Sequence, residues 1–288
     1  MSNALPSVKA HLVLGTAQFD RSYGIVRHED SGFNACGILA KAEKLGIDAV
    51  DTAPAYSNAQ ERIRICRWGG AVHTKIPSNF KAHISLTKSL KILGRNYVDV
   101  AYFHDPSVLA KNASFFKRIH SIVTPTLTKS LGVSVYTSKE FDAALANPFI
   151  SVIQAPISLV DARISDEQLI QGAVNGKRIY ARSIFLQGSL LQNPNSLPRF
   201  LSKLKPVLES LRVTSVDMGI PLMDILLKSV ILRPGIAGLV VGAESPNQLQ
   251  QIWNAFNGPP MPSELKTVLR SLTINDINVI DPRRWPST

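Results

Sequence analysis

The chain has 288 residues, 45% hydrophobic and 18% charged, a balance that builds a packed core and excludes a disordered protein. Its formal net charge is +11, yet no run of Lys and Arg exceeds two or three residues and no aromatic residues are interleaved, which excludes a nucleic-acid surface as the plain reading. No apolar run reaches the roughly 18 to 20 residues of a bilayer span, and the opening MSNALPSVKAHLVLG lacks the layout of a secretory signal.

In chain order, a short apolar run, a turn and a longer amphipathic segment recur about every 30 residues. Strands are predicted at His11–Leu14, Ala49–Asp51, Val72–Ile76, Val98–Phe103, Leu131–Val135, Val152–Ala155, Ile179–Ser183 and Leu239–Gly242. They are rich in Val, Ile and Ala, as parallel strands buried on both faces are. Helices are predicted between them at Asn34–Leu45, Ala59–Trp68, Ile84–Leu93, Ser114–Thr128, Ser138–Ala146, Asp166–Asn175 and in a long stretch around Leu197–Leu232. A last helix, Pro246–Phe256, opens behind Ser245, a good N-cap.

Strands alternating with helices eight times argue for a closed barrel over a doubly wound sheet. The turn after the first strand reads GTAQFD, with one glycine, so the dinucleotide fingerprint of the doubly wound fold is missing. The fold class is therefore α/β, a single (β/α)8 TIM barrel over 1–288 with its active site at the C-terminal end of the strands. Cys36 and Cys66 are too few and too isolated for a disulfide framework or a zinc site, and the plain expectation is a cytoplasmic enzyme without a metal.

Chemistry is sought where the strands end, because there a barrel's polar residues face the active-site mouth. The second strand ends in Asp51, with Tyr56 five residues on in DTAPAYSN; Lys75 stands in VHTKIP and His104 in AYFHDP. Taken singly, each has a dull explanation: a turn aspartate, a packing tyrosine, a surface lysine, a core histidine. Together they sit at one layer of consecutive strands. A free tyrosine has a pKa of about 10, and an ammonium about 4 Å away favours its phenolate by up to ~4 kcal/mol at an effective dielectric of 20. Asp51 would keep Lys75 charged and His104 would orient a carbonyl oxygen, so the set suits protonation of a forming oxyanion. Hydride must then come from a cofactor. The basic charge has two remaining readings, attraction of anionic ligands to the barrel mouth or solubility alone.

LGIDAVDTAPAYSNAQE resembles the first signature of the aldo-keto reductases, and HTKIP and FHDP are similar to that superfamily's lysine and histidine segments, in the same order. The resemblance, to bacterial-type members, continues through LVLGTAQFDRSYGI, LGVSVYT, VIQAPISLVD, IYARSIFLQGSLL, LVVGAESPNQLQQ and the closing DPRRW.

The resemblance implies a tetrad of Asp51, Tyr56, Lys75 and His104, with Tyr56 the general acid in reduction. It implies cofactor contacts from Gly15, Thr16 and Asp51, carboxamide contacts from Ser134 and Gln154, and contacts to the nicotinamide and pyrophosphate from Arg182 and Ser183. Gly242, Ala243, Gln248 and Gln251 belong to the loop and helix start around the adenosine phosphate, where a helix N-terminus suits an anion. Three departures stand out. Val135 replaces an asparagine, Arg182 replaces an aromatic residue, and Gly242 to Gln248 holds no basic residue for a 2′-phosphate. NADPH is the superfamily's default cofactor and NADH the alternative. The expected partner is a small carbonyl compound, a sugar or nucleotide sugar among the candidates, with no nucleic acid or membrane partner and a monomer or weak homo-oligomer. The rival reading is a reductase-like barrel that binds the cofactor mainly to regulate or scaffold a partner.

Overall fold

Parallel strands cannot be joined by tight turns, so each must be followed by a crossover that packs on the outside of the sheet. A computed structural model of the chain, describing residues 10–19, 33–262, 265, 269 and 271–286, has this arrangement. The strands are β1 (His11–Gly15), β2 (Ala49–Asp51), β3 (Ala71–Ile76), β4 (Val98–Phe103), β5 (Thr128–Ser134), β6 (Val152–Pro156), β7 (Arg178–Arg182) and β8 (Ile236–Gly242). Each pairs with the next in sequence, and β8 returns to β1 in the register His11 to Gly238 through Gly15 to Gly242, closing the barrel. Residues 20–25, the second half of the LVLGTAQFDRSYGI segment, lie outside the described residues.

Alternation along each strand sends one set of side chains inward and the other towards the helices. The inner set is Val13, Ala49, Val100, Tyr102, Val152 and Tyr180, which touch one another across the barrel. The two large phenols are accommodated by glycines on neighbouring strands: Gly132 is the register partner of Tyr102, and Gly238 that of Tyr180. A Cβ at Gly132 would lie 2.5 Å from Tyr102 Cδ1, and one at Gly238 2.8 Å from Tyr180 Cε1. The outer set packs on helices α1 (Ala35–Lys44), α2 (Ala59–Ile65), α3 (Ala82–Leu93), α4 (Ala113–Val123), α5 (Ser138–Ala146) and α6 (Asp166–Val174). Two further helices, α7 (Lys205–Met218) and α8 (Leu222–Ile231), follow β7, and α9 (Pro246–Asn257) follows β8.

Three sequence expectations need correction. The helix predicted at Ser114–Thr128 stops at Val123, and Thr128 already opens β5. Thr124 is extended, with φ −111° and ψ 133°, because the ring of Pro125 disfavours helical backbone before it and Pro125 has no N–H to give. The stretch Leu197–Leu232 is not one helix. A 3-10 segment, Arg199–Leu204, precedes α7, and Gly219 at φ 62° ends α7 ahead of Pro221, which starts α8. Cys36 and Cys66 are not isolated: they form a disulfide with Cα atoms 5.0 Å apart. They are 30 residues apart in sequence, but α1 and α2 pack side by side on consecutive strands and bring them together.

Among the described residues no helix is long and apolar enough to cross a membrane. Among the same residues no group of three or more His, Cys, Asp or Glu could hold a metal ion.

Candidate active site

The end of β2 is anchored first. The backbone carbonyl of Asp51 accepts the N–H of Thr16 at 2.9 Å and its hydroxyl at 3.0 Å, which ties the ends of β1 and β2 together. The carboxylate of Asp51 then points into the barrel mouth. One of its oxygens, Oδ2, accepts Lys75 Nζ at 2.5 Å and Gln154 Nε2 at 2.8 Å. Lys75 sits on β3 beside Tyr102 of β4, and its ammonium lies 4.7 Å from the centre of that ring. Both members of the ion pair are about 97% buried, so the attraction between them is little screened.

Burial outweighs the help of Asp51 and holds the Lys75 ammonium below the ordinary lysine range. A cation that gives up its proton more readily than usual suits shared acid–base work. His104 follows β4, with its backbone N–H donating to the Ile76 carbonyl at 3.0 Å. Burial, the Lys75 charge and the Arg182 charge lower its pKa, so its imidazole is neutral at pH 7, with one N–H to donate.

Tyr56 lies in the turn between β2 and α2. Its backbone N–H donates to Ala53 at 3.0 Å, and its carbonyl receives the first N–H of α2, from Ala59, at 2.9 Å. The next residue, Ser57, is left-handed at φ 43°. The Tyr56 ring is half-buried, packed on the main core.

These four side chains line one cavity of about 550 Å³ at the C-terminal ends of the strands, a size common for small-molecule and cofactor sites. Gly15, Thr16, Ser134, Gln154, Arg182, Ser183, Gly242 and Gln248 line it too. Ala243 and Gln251 do not: Ala243 is buried in the core, and Gln251 is exposed on α9. The loop after β7 carries Ser183, Leu186 and Gln187 in the left-handed region, a cost of about 1–3 kcal/mol each that persists where surrounding contacts enforce it. At the end of β8, a Cβ on Gly242 would fall 1.9 Å from Gln18 Oε1, so the glycine lets Gln18 lie across the mouth. Ser245 caps α9, accepting the N–H of Gln248 at 3.1 Å, and the Gln248 side chain returns to the N–H of Glu244 at 2.6 Å.

Sequence reasoning missed Gln18, Tyr136, Asp281 and Arg283 as lining residues. Tyr136 was within reach, being two residues past Ser134 and so on the same side of an extended chain. Asp281 and Arg283 were visible only as part of the DPRRW tail; nothing local tells that the tail folds back over the mouth.

The closed (β/α)8 barrel gathers a buried lysine–aspartate pair, a tyrosine and a histidine around its C-terminal opening. The chain belongs to the aldo/keto reductase family, whose sequence pattern it matches over residues 11–271. It is accordingly a carbonyl oxidoreductase of a family that generally uses NAD(P)H and acts on small-molecule carbonyl compounds. Comparison with curated proteins gives no match. Among solved structures, the holo form of an aldo-keto reductase from Bacillus halodurans superposes with a TM-score of 0.74 at 20% identity, covering 96% of this chain and 95% of that one. A glycerol dehydrogenase from Gluconobacter oxydans gives 0.70 at 17% identity, with 99% and 97% covered. At these identities the likeness is one of fold.

Proposed function

We propose that the chain is an NAD(P)H-dependent reductase of an aldehyde, ketone or sugar carbonyl, with Tyr56 as the general acid. The observation that carries this reading is the buried Lys75–Asp51 pair opening into the same cavity as Tyr56 and His104. Lys75, with its weakened hold on its proton, lowers the cost of forming the Tyr56 phenolate once that proton has gone to the substrate oxygen. Neutral His104 donates to the same oxygen and orients the carbonyl. Asp51 keeps Lys75 in place and Gln154 keeps Asp51 in place, so the ammonium is positioned before substrate arrives.

The lining fits a dinucleotide. Ser134 offers a hydroxyl, and Gln154, whose amide nitrogen is taken by Asp51, offers its carbonyl oxygen to a carboxamide. The start of α9, where the helix dipole is positive, suits a phosphate. Bound there, a reduced nicotinamide supplies the hydride. Glu244 and Gln248 at that end of the cavity accept ribose hydroxyls and provide no cation for a 2′-phosphate. They bring NADH forward beside the family's usual NADPH, and titration with both nucleotides decides between them.

Tyr56→Phe is expected to lower kcat by about 10²- to 10⁴-fold and to leave nucleotide affinity within a few-fold, measured by absorbance assay and by titration. Undiminished turnover in Tyr56→Phe would remove the mechanism. Tight nucleotide binding by the wild type, with no turnover on any carbonyl, would return the chain to the scaffold reading.

A further inference from the structure

The reaction centre is charge-balanced, but the wall beside it is not. Tyr136, just past β5, has two guanidinium groups against its ring: Arg182 Cζ is 4.3 Å from the ring centre and Arg283 Cζ is 3.3 Å from it. All three side chains line the cavity. Two cations on one phenol repel each other unless anions accompany them. Arg283 has such an anion in Asp281, bound through Nε at 2.9 Å and Nη2 at 2.6 Å. Asp281 also stands 3.7 Å from Arg163, whose own close partner is Asp161 at 2.6 Å. Arg163 and Arg283 thus share the two carboxylates of Asp161 and Asp281.

Arg182 has no carboxylate partner among the described residues. Its hydrogen bonds go to the Val135 carbonyl at 3.1 Å and the Ser183 hydroxyl at 3.3 Å, both uncharged. Elsewhere in the lining, Lys75 already neutralises Asp51, and Glu244 stands beyond β8 at the loop leading to α9. Arg182 lines the same cavity as Lys75 and His104, and its charge lowers the pKa of both. Arg283 keeps Nη1 outside its pair with Asp281, and its side chain is 49% exposed, within reach of a ligand in the cavity.

We infer that the substrate carries a carboxylate or a phosphate within a few atoms of its carbonyl, and that Arg283 binds this anion beside Tyr136, its pull reinforced by the charge of Arg182, the residue that the family resemblance turns towards the nicotinamide. Planar guanidinium forks match the oxygens of either group, and the anion would supply a counter-charge that Arg182 does not find among the described residues. The inference rests on the reductase reading of the same cavity and adds the class of substrate to it.

Two matched pairs of aldehydes test it: 4-oxobutanoate against butanal, and glyceraldehyde 3-phosphate against glyceraldehyde. The wild type is expected to favour the charged member of at least one pair by about tenfold to a hundredfold in kcat/KM; which pair responds tells carboxylate from phosphate. The preference is expected to shrink with added salt. Arg283→Gln should bring the ratio towards one, and Arg283→Lys, which keeps the charge, should recover part of it. Reduction of butanal and glyceraldehyde with no preference for their charged partners overturns the anion site and leaves the reductase reading standing. If no aldehyde is turned over, the reductase reading fails instead. Calorimetric titration of the nucleotide-saturated protein with 4-oxobutanoate and glyceraldehyde 3-phosphate then judges the anion site alone, and absence of binding overturns it. Loss of nucleotide affinity in Arg283→Gln with the substrate ratio intact also overturns it, by assigning the arginines to the cofactor.

Discussion

Asp51 receives two donors on a single carboxylate oxygen, one from a lysine and one from a glutamine amide. Removing its charge leaves an ammonium buried without a counter-ion, which costs about 3–5 kcal/mol when one partner of a buried pair is lost. Asp51→Asn is therefore expected to lower the denaturant midpoint sharply. It also removes the main influence that favours the charged form of Lys75, so the alkaline limb of the kcat/KM profile should move to lower pH. A shift in the other direction would contradict the role given to the carboxylate. At this scale much was legible beforehand. Asp51, Tyr56, Lys75 and His104 stand out because a strand end in a barrel has one functional direction, and the residue order names the strand. The partner of Gln154 was not legible, since nothing in VIQAPISLVD says that its amide reaches across the barrel to β2.

Elements show where local signals prevail and where packing does. Pro125 and the Gly219–Pro221 pair end helices for reasons that belong to those residues, even though helical periodicity runs through both places. The disulfide is the opposite case: Cys36 and Cys66 carry no motif, and only the packing of α1 on α2 makes them partners. Closing a loop of 30 residues restricts the unfolded chain by about 3–4 kcal/mol. Cys36→Ser, or a reducing agent on the wild type, should lower the melting temperature by roughly 5–7 °C. Neither cysteine lines the cavity, so turnover at 25 °C should survive. Equal melting curves with and without reductant would show that the bond adds nothing to stability. Disulfides persist in oxidising surroundings, so the same measurement bears on where the protein can keep it.

For the molecule as a whole, acid is the informative stress. His73 is buried inside the barrel beside Tyr102 and Tyr180, and burial pushes its pKa down to about 4 from the usual 6.5. Below pH 6.5 the unfolded chain binds a proton that the folded chain refuses, so stability falls with pH until the folded form titrates near 4. The loss amounts to about 3 kcal/mol. Chemical denaturation between pH 7 and 4 should reveal it, and His73→Phe should flatten that slope. A pH-independent midpoint in the wild type over this interval would refute the account.

Composition, the repeated strand–helix alternation and the punctuation by Pro and Gly were sufficient to define a barrel, because they act over a few residues each. Which end of each strand carries chemistry follows from the same short-range order. Folding alone decided the disulfide, the glycine gaps that house Tyr102 and Tyr180, and the return of Asp281 and Arg283 to the mouth beside Tyr136. Those contacts join residues distant in sequence, and only the closed barrel brings them together.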